Sequence, residues 1–105
     1  MVSKSKKLNI DMAFLRTQYR SKILEIANKY KAENIRIFGS TVRGENTKDS
    51  DVDFLVYFKK GASLLDESGL DIELRELLGC EVDIISDRSI RNEFRSFALK
   101  EAEAL

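Results

Sequence analysis

Histidine, proline and tryptophan are absent from the 105 residues, cysteine occurs once, and 18 basic side chains cancel 18 acidic ones. Without histidine there is no imidazole general base, and with Cys80 as the lone thiol neither an internal disulfide nor a thiolate-imidazole zinc site can be assembled. Chemistry is left to carboxylates, hydroxyls, amines or a metal held by oxygen. Zero net charge removes any global field toward nucleic acid or an anionic membrane surface, so a partner has to be recognised locally. No apolar run approaches the roughly 20 residues that cross a bilayer. The basic opening, MVSKSKK, meets further charges before a signal-peptide core can form, which predicts a cytoplasmic protein. The lack of proline, of repeats and of low-complexity tracts argues against a hinge between domains. With 43% apolar and 34% charged residues the chain has the make-up of one folded domain with one core, expected to span residues 1–105.

What is present divides into helices and strands by period. Leu15, Tyr19, Ile23, Ile26, Ala27 and Tyr30 line one face of a helix over Met12 to Tyr30. The period falls to two in NIRIF, a strand from Ile35 to Phe38 that stops at Gly39. A brief helix, Thr41 to Arg43, ends at Gly44, and the polar ENTKDS reads as a loop before the strand DVDFLVYF, Asp51 to Phe58. Ser63 is placed as the N-cap of a helix whose buried stripe is Leu64, Leu70, Leu74, Leu77 and Leu78, with Gly79 as its left-handed cap. EVDII, Glu81 to Ile85, is a third strand. After Ser86, Asp87 and Ser89 a last helix is expected to turn Ile90, Phe94, Phe97 and Ala98 inward, and EAEAL either extends it or adds an edge strand. The alternation describes an α/β fold, a mixed sheet of three to four strands flanked by helices, with part of one face open for a site.

The strand Asp51 to Phe58 poses the chemical question. Alternation sends Val52, Phe54, Val56 and Phe58 to the core and Asp51, Asp53, Leu55 and Tyr57 to the other face. Two carboxylates about 7 Å apart at their α-carbons repel each other unless a cation stands between them. On the third strand Asp83 faces opposite to Val82 and Ile84, so if the strands are neighbours it completes a set of three acids. Oxygen-only ligands favour Mg²⁺ or Mn²⁺, which take phosphate oxygens as further ligands. Gly39 lets a phosphate approach the backbone, Ser40 offers a hydroxyl, and Arg43 one turn on adds positive charge or is merely solvated. Blander roles suit the remaining candidates: Lys59 and Lys60 as solvated turn residues, Asp49, Asp66 and Asp71 as turn or helix-surface acids, and Cys80 as a small buried apolar group. Tyr57 either stacks on a base or packs under a helix.

Gly39-Ser40, ten residues, then Asp51-Val52-Asp53, with Arg43-Gly44 and Ser50 in the spacer and a later Val82-Asp83 strand, resembles the minimal nucleotidyltransferase (MNT) group. That group belongs to the polymerase β-like nucleotidyltransferase superfamily, and the likeness covers roughly Ile35 to Arg88. It implies the small polymerase β-like palm fold and ATP as co-substrate. Two Mg²⁺ ions would be held by Asp51, Asp53 and Asp83, with Gly39, Ser40 and Arg43 on the nucleotide. A hydroxyl, activated on the Asp83 side, would attack the α-phosphate and release pyrophosphate. Members this short are similar to the antitoxins of MNT-HEPN pairs, which transfer AMP to a tyrosine of their HEPN ribonuclease toxin. The implied partner is such a toxin, in a hetero-oligomeric complex with no direct nucleic-acid contact. Two other outcomes stay open: neutralisation by binding alone, and transfer to a small-molecule acceptor.

Overall fold

A computed structural model describes residues 10–47 and 50–105; the basic opening stretch and Asp49 lie outside them. Residues 12–29 form one helical run, α1, made of an α turn Met12–Phe14, a wide π turn Leu15–Tyr19 and an α segment Arg20–Lys29. The Asp11 carboxylate caps its start, accepting from the Phe14 amide at 2.8 Å. The π turn has a packing consequence. Eight α-helical positions separate Leu15 from Ile23, which would leave them about 80° apart, but one extra residue in the wide turn brings both onto the core side, each 0% exposed.

Strand β1, Ala32–Phe38, begins three residues earlier than the pattern predicts. Its entry is made by Lys31 and Asn34, both in the left-handed region at φ +62° and +55°, and the pairing register breaks between Glu33 and Arg36. A bulge carried by non-glycine residues hides the strand's true start from a period-two reading. Helix α2 is the single turn Ser40–Arg43, and β2 is Val52–Phe58. Helix α3, Leu64–Leu78, starts at the predicted Ser63, whose amide donates to the Asp66 carboxylate at 2.9 Å in a capping box, and ends at Gly79 with φ +67°. Strand β3, Val82–Ser86, a 3₁₀ turn Asp87–Ser89, helix α4, Asn92–Glu101, and the short β4, Glu103–Ala104, complete the chain, so the final residues form an edge strand.

The sheet runs β3-β2-β1-β4, with β2 and β3 parallel and the other pairs antiparallel. Central β2 thus carries β1 on one side and β3 on the other. Helices α1 and α3 cover one face, where Val52, Phe54, Val56 and Phe58 pack with Ile23, Leu70 and Leu74. Burying a side chain such as Phe54, 0% exposed, contributes on the order of 2–3 kcal/mol. Gly69 in α3 lets that helix press against Tyr30, since a Cβ there would lie 2.2 Å from the tyrosine ring. Among the described residues no helix is long and apolar enough to cross a membrane.

Three side chains expected inside are outside. Leu64 is 79% exposed at the first turn of α3, and Phe94 and Phe97 on α4 are 42% and 55% exposed. For α4 the reason is what it covers. The stripe turned to the sheet is Arg95, Ala98 and Glu101, of which only Ala98 is fully buried, because the face beneath is polar and engages both charged residues. Periodicity marks an amphipathic helix, but here the polar side packs inward.

Candidate active site

The face of the sheet opposite the main core carries the predicted residues at one end. Phe38 of β1 lies across from Asp53 of β2, and Asp53 lies beside Asp83 in the parallel ladder to β3, so cross-strand pairing sets both carboxylates on one face. Asp51 precedes β2, one residue short of the strand expected to contain it, and its backbone neighbour Val52 donates to Glu81 O at 3.0 Å. Burial raises the Asp53 carboxyl to about 6, helped by the charges of Asp83, Asp51 and Glu101 and opposed by Arg43. Asp53 therefore feels the whole acidic set. Asp51 and Asp83 are solvent-exposed.

Gly39 sits directly against this carboxylate. Its backbone, at φ +82° and ψ −154°, lies in a region open to glycine, and a Cβ there would stand 2.3 Å from Asp53 Oδ2. The turn that follows is held by amides of Val42 and Arg43 donating to Gly39 O at 3.1 and 3.2 Å, and of Glu45 donating to Ser40 O at 3.0 Å. The Ser40 hydroxyl makes no hydrogen bond among the described residues. A half-buried serine left uncommitted beside an acidic cluster is available to a ligand oxygen.

Arg43 is already occupied. Its Nε donates to Glu45 at 2.9 Å and its Nη1 to Glu101 Oε2 at 2.7 Å, and the other Glu101 oxygen accepts from the Gly39 amide at 2.9 Å. Burial pushes the Glu101 carboxyl up, but the hydrogen bonds from Arg43 and Gly39 and the charge of Arg43 outweigh it and hold the group below its ordinary value. Glu101 is the member of the site that pattern reading missed. Its spacing of three from the inward Ala98 was the available signal.

The far end of the same face is closed. Asp87 is buried between Arg36, whose Nη2 donates at 2.6 Å, and Arg95, whose Nη2 stands 2.8 Å from Oδ1 as an ion pair and whose Nη1 donates to Asp87 O at 2.7 Å. Leu55 is 0% exposed on this face, and Tyr57, 36% exposed, accepts from Arg88 at 3.1 Å beneath a guanidinium 5.1 Å from its ring, so the arginine already occupies the ring face the tyrosine would offer a base. Lys59 and Lys60 are exposed, Asp71 pairs with Arg75 at 2.7 Å, and Cys80 packs partly buried against the core. A hollow of about 140 Å³ lies elsewhere, on the helix side of β2, lined by Phe14, Tyr19, Thr41 and Val52 among others, with Thr41 Oγ1 buried without a hydrogen-bond partner among the described residues. The acidic face is open to solvent at Asp51 and Asp83.

Among the described residues no three acidic, histidine or cysteine side chains are gathered as a ready-made metal cage. The donor set nevertheless fits a hard divalent cation: it is all oxygen, and both the burial that chiefly raises Asp53 and the added repulsion from Asp83 and Asp51 would be offset by positive charge beside it. Paired carboxylates, a glycine pressed to one of them and a free serine hydroxyl are the kinds of group that handling a phosphate-bearing substrate requires.

The chain belongs to the nucleotidyltransferase domain family, whose model matches residues 20–105. A Methanocaldococcus jannaschii relative named as a candidate protein adenylyltransferase is 41% identical over 85 residues, 81% of this chain and 91% of the relative. The protein adenylyltransferase MntA of Thermococcus cleftensis is 39% identical over 77 residues, 73% of this chain and 78% of that one. The solved structure of a candidate minimal nucleotidyltransferase superposes with a TM-score of 0.81 at 41% identity, covering 90% of this chain and 96% of the other. In fold alone, at 20% identity and a TM-score of 0.60, the chain is like a structure of a tri-AMPylated Shewanella oneidensis HEPN toxin in complex with an MNT antitoxin; the match covers 80% of this chain and 66% of the other.

Proposed function

We propose that this nucleotidyltransferase is the antitoxin of a toxin-antitoxin pair, transferring AMP from ATP to a tyrosine of a HEPN ribonuclease toxin and so silencing it, as one minimal domain over residues 1–105. The observation that carries the reading is the parallel ladder setting Asp53 beside Asp83, with Gly39 against Asp53 and the Ser40 hydroxyl uncommitted. The naming of relatives as protein adenylyltransferases supports AMP as the transferred group and a protein as the acceptor. The likeness of fold to an antitoxin bound to its AMPylated HEPN toxin supports the kind of partner, met in a hetero-oligomeric complex.

Asp51, Asp53 and Asp83 would hold Mg²⁺, which would supply charge neutralisation for the triphosphate and acidify the attacking hydroxyl. The Ser40 hydroxyl donates to a phosphate oxygen, and Arg43 adds fixed positive charge beside it. The tyrosine oxygen forms its bond to the α-phosphorus as the bond to the departing pyrophosphate breaks. Asp83, exposed on the edge strand, takes the proton the tyrosine gives up.

The test incubates the protein encoded beside this one with this protein, Mg²⁺ and each nucleoside triphosphate in turn, and reads the partner's intact mass. A gain in whole AMP units with ATP, lost when Asp51→Asn and Asp53→Asn are combined, is the expected result. A partner silenced with no change in mass would mean neutralisation by binding alone, and transfer confined to a small acceptor would move the activity away from proteins.

A further inference from the structure

Glu101 is not among the carboxylates proposed to hold the metal, yet it grips both parts of the nucleotide loop. One carboxylate oxygen takes the Gly39 amide at 2.9 Å and the other takes Arg43 Nη1 at 2.7 Å, with the glutamate side chain 13% exposed and the arginine 43%. We infer that Glu101 is a positioning residue for the phosphate chain: it fixes the Gly39 turn against Asp53 and aims the Arg43 guanidinium, without touching the nucleotide itself. This rests on the proposed binding of ATP at the Ser40 loop.

Three features favour that role over simple helix packing. With the Gly39 amide spent on Glu101, the Ser40 hydroxyl remains an uncommitted donor of the loop, so the turn can present serine to a ligand. Arg43 uses Nε on exposed Glu45 and Nη1 on Glu101, which leaves Nη2 for an anion in an orientation set by the buried partner. The carboxylate is also the last residue of α4, a helix whose only fully buried side chain is Ala98, so the contact couples that helix and the β4 edge strand following it to the active loop. A neutral hydrogen-bonding residue would hold the Gly39 amide as well. Holding Arg43 needs the charge.

The test measures Mg²⁺-dependent binding of a non-hydrolysable ATP analogue by calorimetry, together with KM and kcat for AMP transfer, in wild type, Glu101→Gln, Arg43→Gln and the double variant. Glu101→Gln keeps an acceptor for the Gly39 amide and removes the charge facing Arg43. It is expected to weaken analogue binding and raise KM by about tenfold with kcat little changed, the scale of one charge-assisted hydrogen bond. The double variant is expected to bind no worse than Arg43→Gln alone, because Glu101 acts through that guanidinium. Glu101→Asp, which keeps the charge but is too short to reach both donors, is expected to show the same loss, and thermal unfolding of each variant confirms that folded protein is compared. Additive losses in the double variant, or analogue binding in Glu101→Gln equal to or tighter than wild type, would overturn the inference. A wild type that binds no analogue would instead sink the proposed nucleotide site, so the two failures are told apart.

Discussion

Replacing Gly39 with alanine puts one methyl group where the structure has no room for it. The new Cβ would stand 2.3 Å from Asp53 Oδ2, so the carboxylate has to retreat by about 1 Å to reach ordinary contact. The backbone at φ +82° and ψ −154° adds strain of order 1–3 kcal/mol for a residue with a side chain. At about 4–6 °C per kcal/mol for a domain of this size, Tm should fall by roughly 5–15 °C. Because a displacement of about 1 Å in a catalytic group costs around a hundredfold, AMP transfer by the folded variant should drop by that factor or more. Gly44→Ala separates the two causes: its φ is +74° and nothing lies within 4 Å of the added Cβ, so it should lose stability while keeping transfer. Thermal unfolding and partner mass on the same samples provide the assay. A Gly39→Ala protein with wild-type Tm and transfer within about threefold of wild type would refute the claimed contact between the turn and the acid.

Asp53→Asn should abolish transfer and yet stabilise the metal-free protein. The folded carboxyl sits near 6 against an ordinary 3.8, so between those pH values the folded state keeps a proton the unfolded chain has released. Stability therefore falls as pH rises through that window, and at neutral pH the folded chain bears the full unfavourable charge. Allowing for solvent screening of this partly exposed group, the gain on neutralising it is about 1 kcal/mol, seen as a higher Tm at pH 7 that vanishes near pH 4. Added Mg²⁺ should raise the Tm of wild type more than that of the variant. Thr41→Val replaces a buried hydroxyl that lacks a partner with a methyl group and should leave transfer intact while holding or raising stability by up to about 1 kcal/mol in a denaturant titration. Gly69→Ala gains about 1 kcal/mol in helix propensity but drives a methyl to 2.2 Å from Tyr30, so chemical unfolding should show a net loss of about 1–2 kcal/mol.

The pairing of Asp53 with Asp83 was legible because a period-two run with aspartates on its non-core side is costly unless a cation offsets it, whereas Asp51, expected inside the strand, precedes it. The N-cap at Ser63 and the left-handed cap at Gly79 were equally local and were found where expected, Asp66 adding a capping box. What local pattern missed depends on what an element packs against. Leu64 faces solvent at a helix start, and Phe94 and Phe97 point away because α4 lies on a polar surface and turns Arg95 and Glu101 inward to Asp87, Gly39 and Arg43. The early start of β1 was hidden by left-handed residues, Lys31 and Asn34, that carry no glycine to announce them. Arg43, expected on the nucleotide, is held by Glu45 and Glu101, a partnership that spans 58 residues to the glutamate of α4 and has no short-range signature.

The most direct measurement is a crystal structure with Mn²⁺ and a non-hydrolysable ATP analogue, located by the anomalous signal of the metal. Metal between Asp51, Asp53 and Asp83 with the phosphate chain on the Ser40 hydroxyl is the predicted result. Nucleotide bound away from Ser40, or metal with no contact to Asp53, would contradict the assignment of this face as the transfer centre.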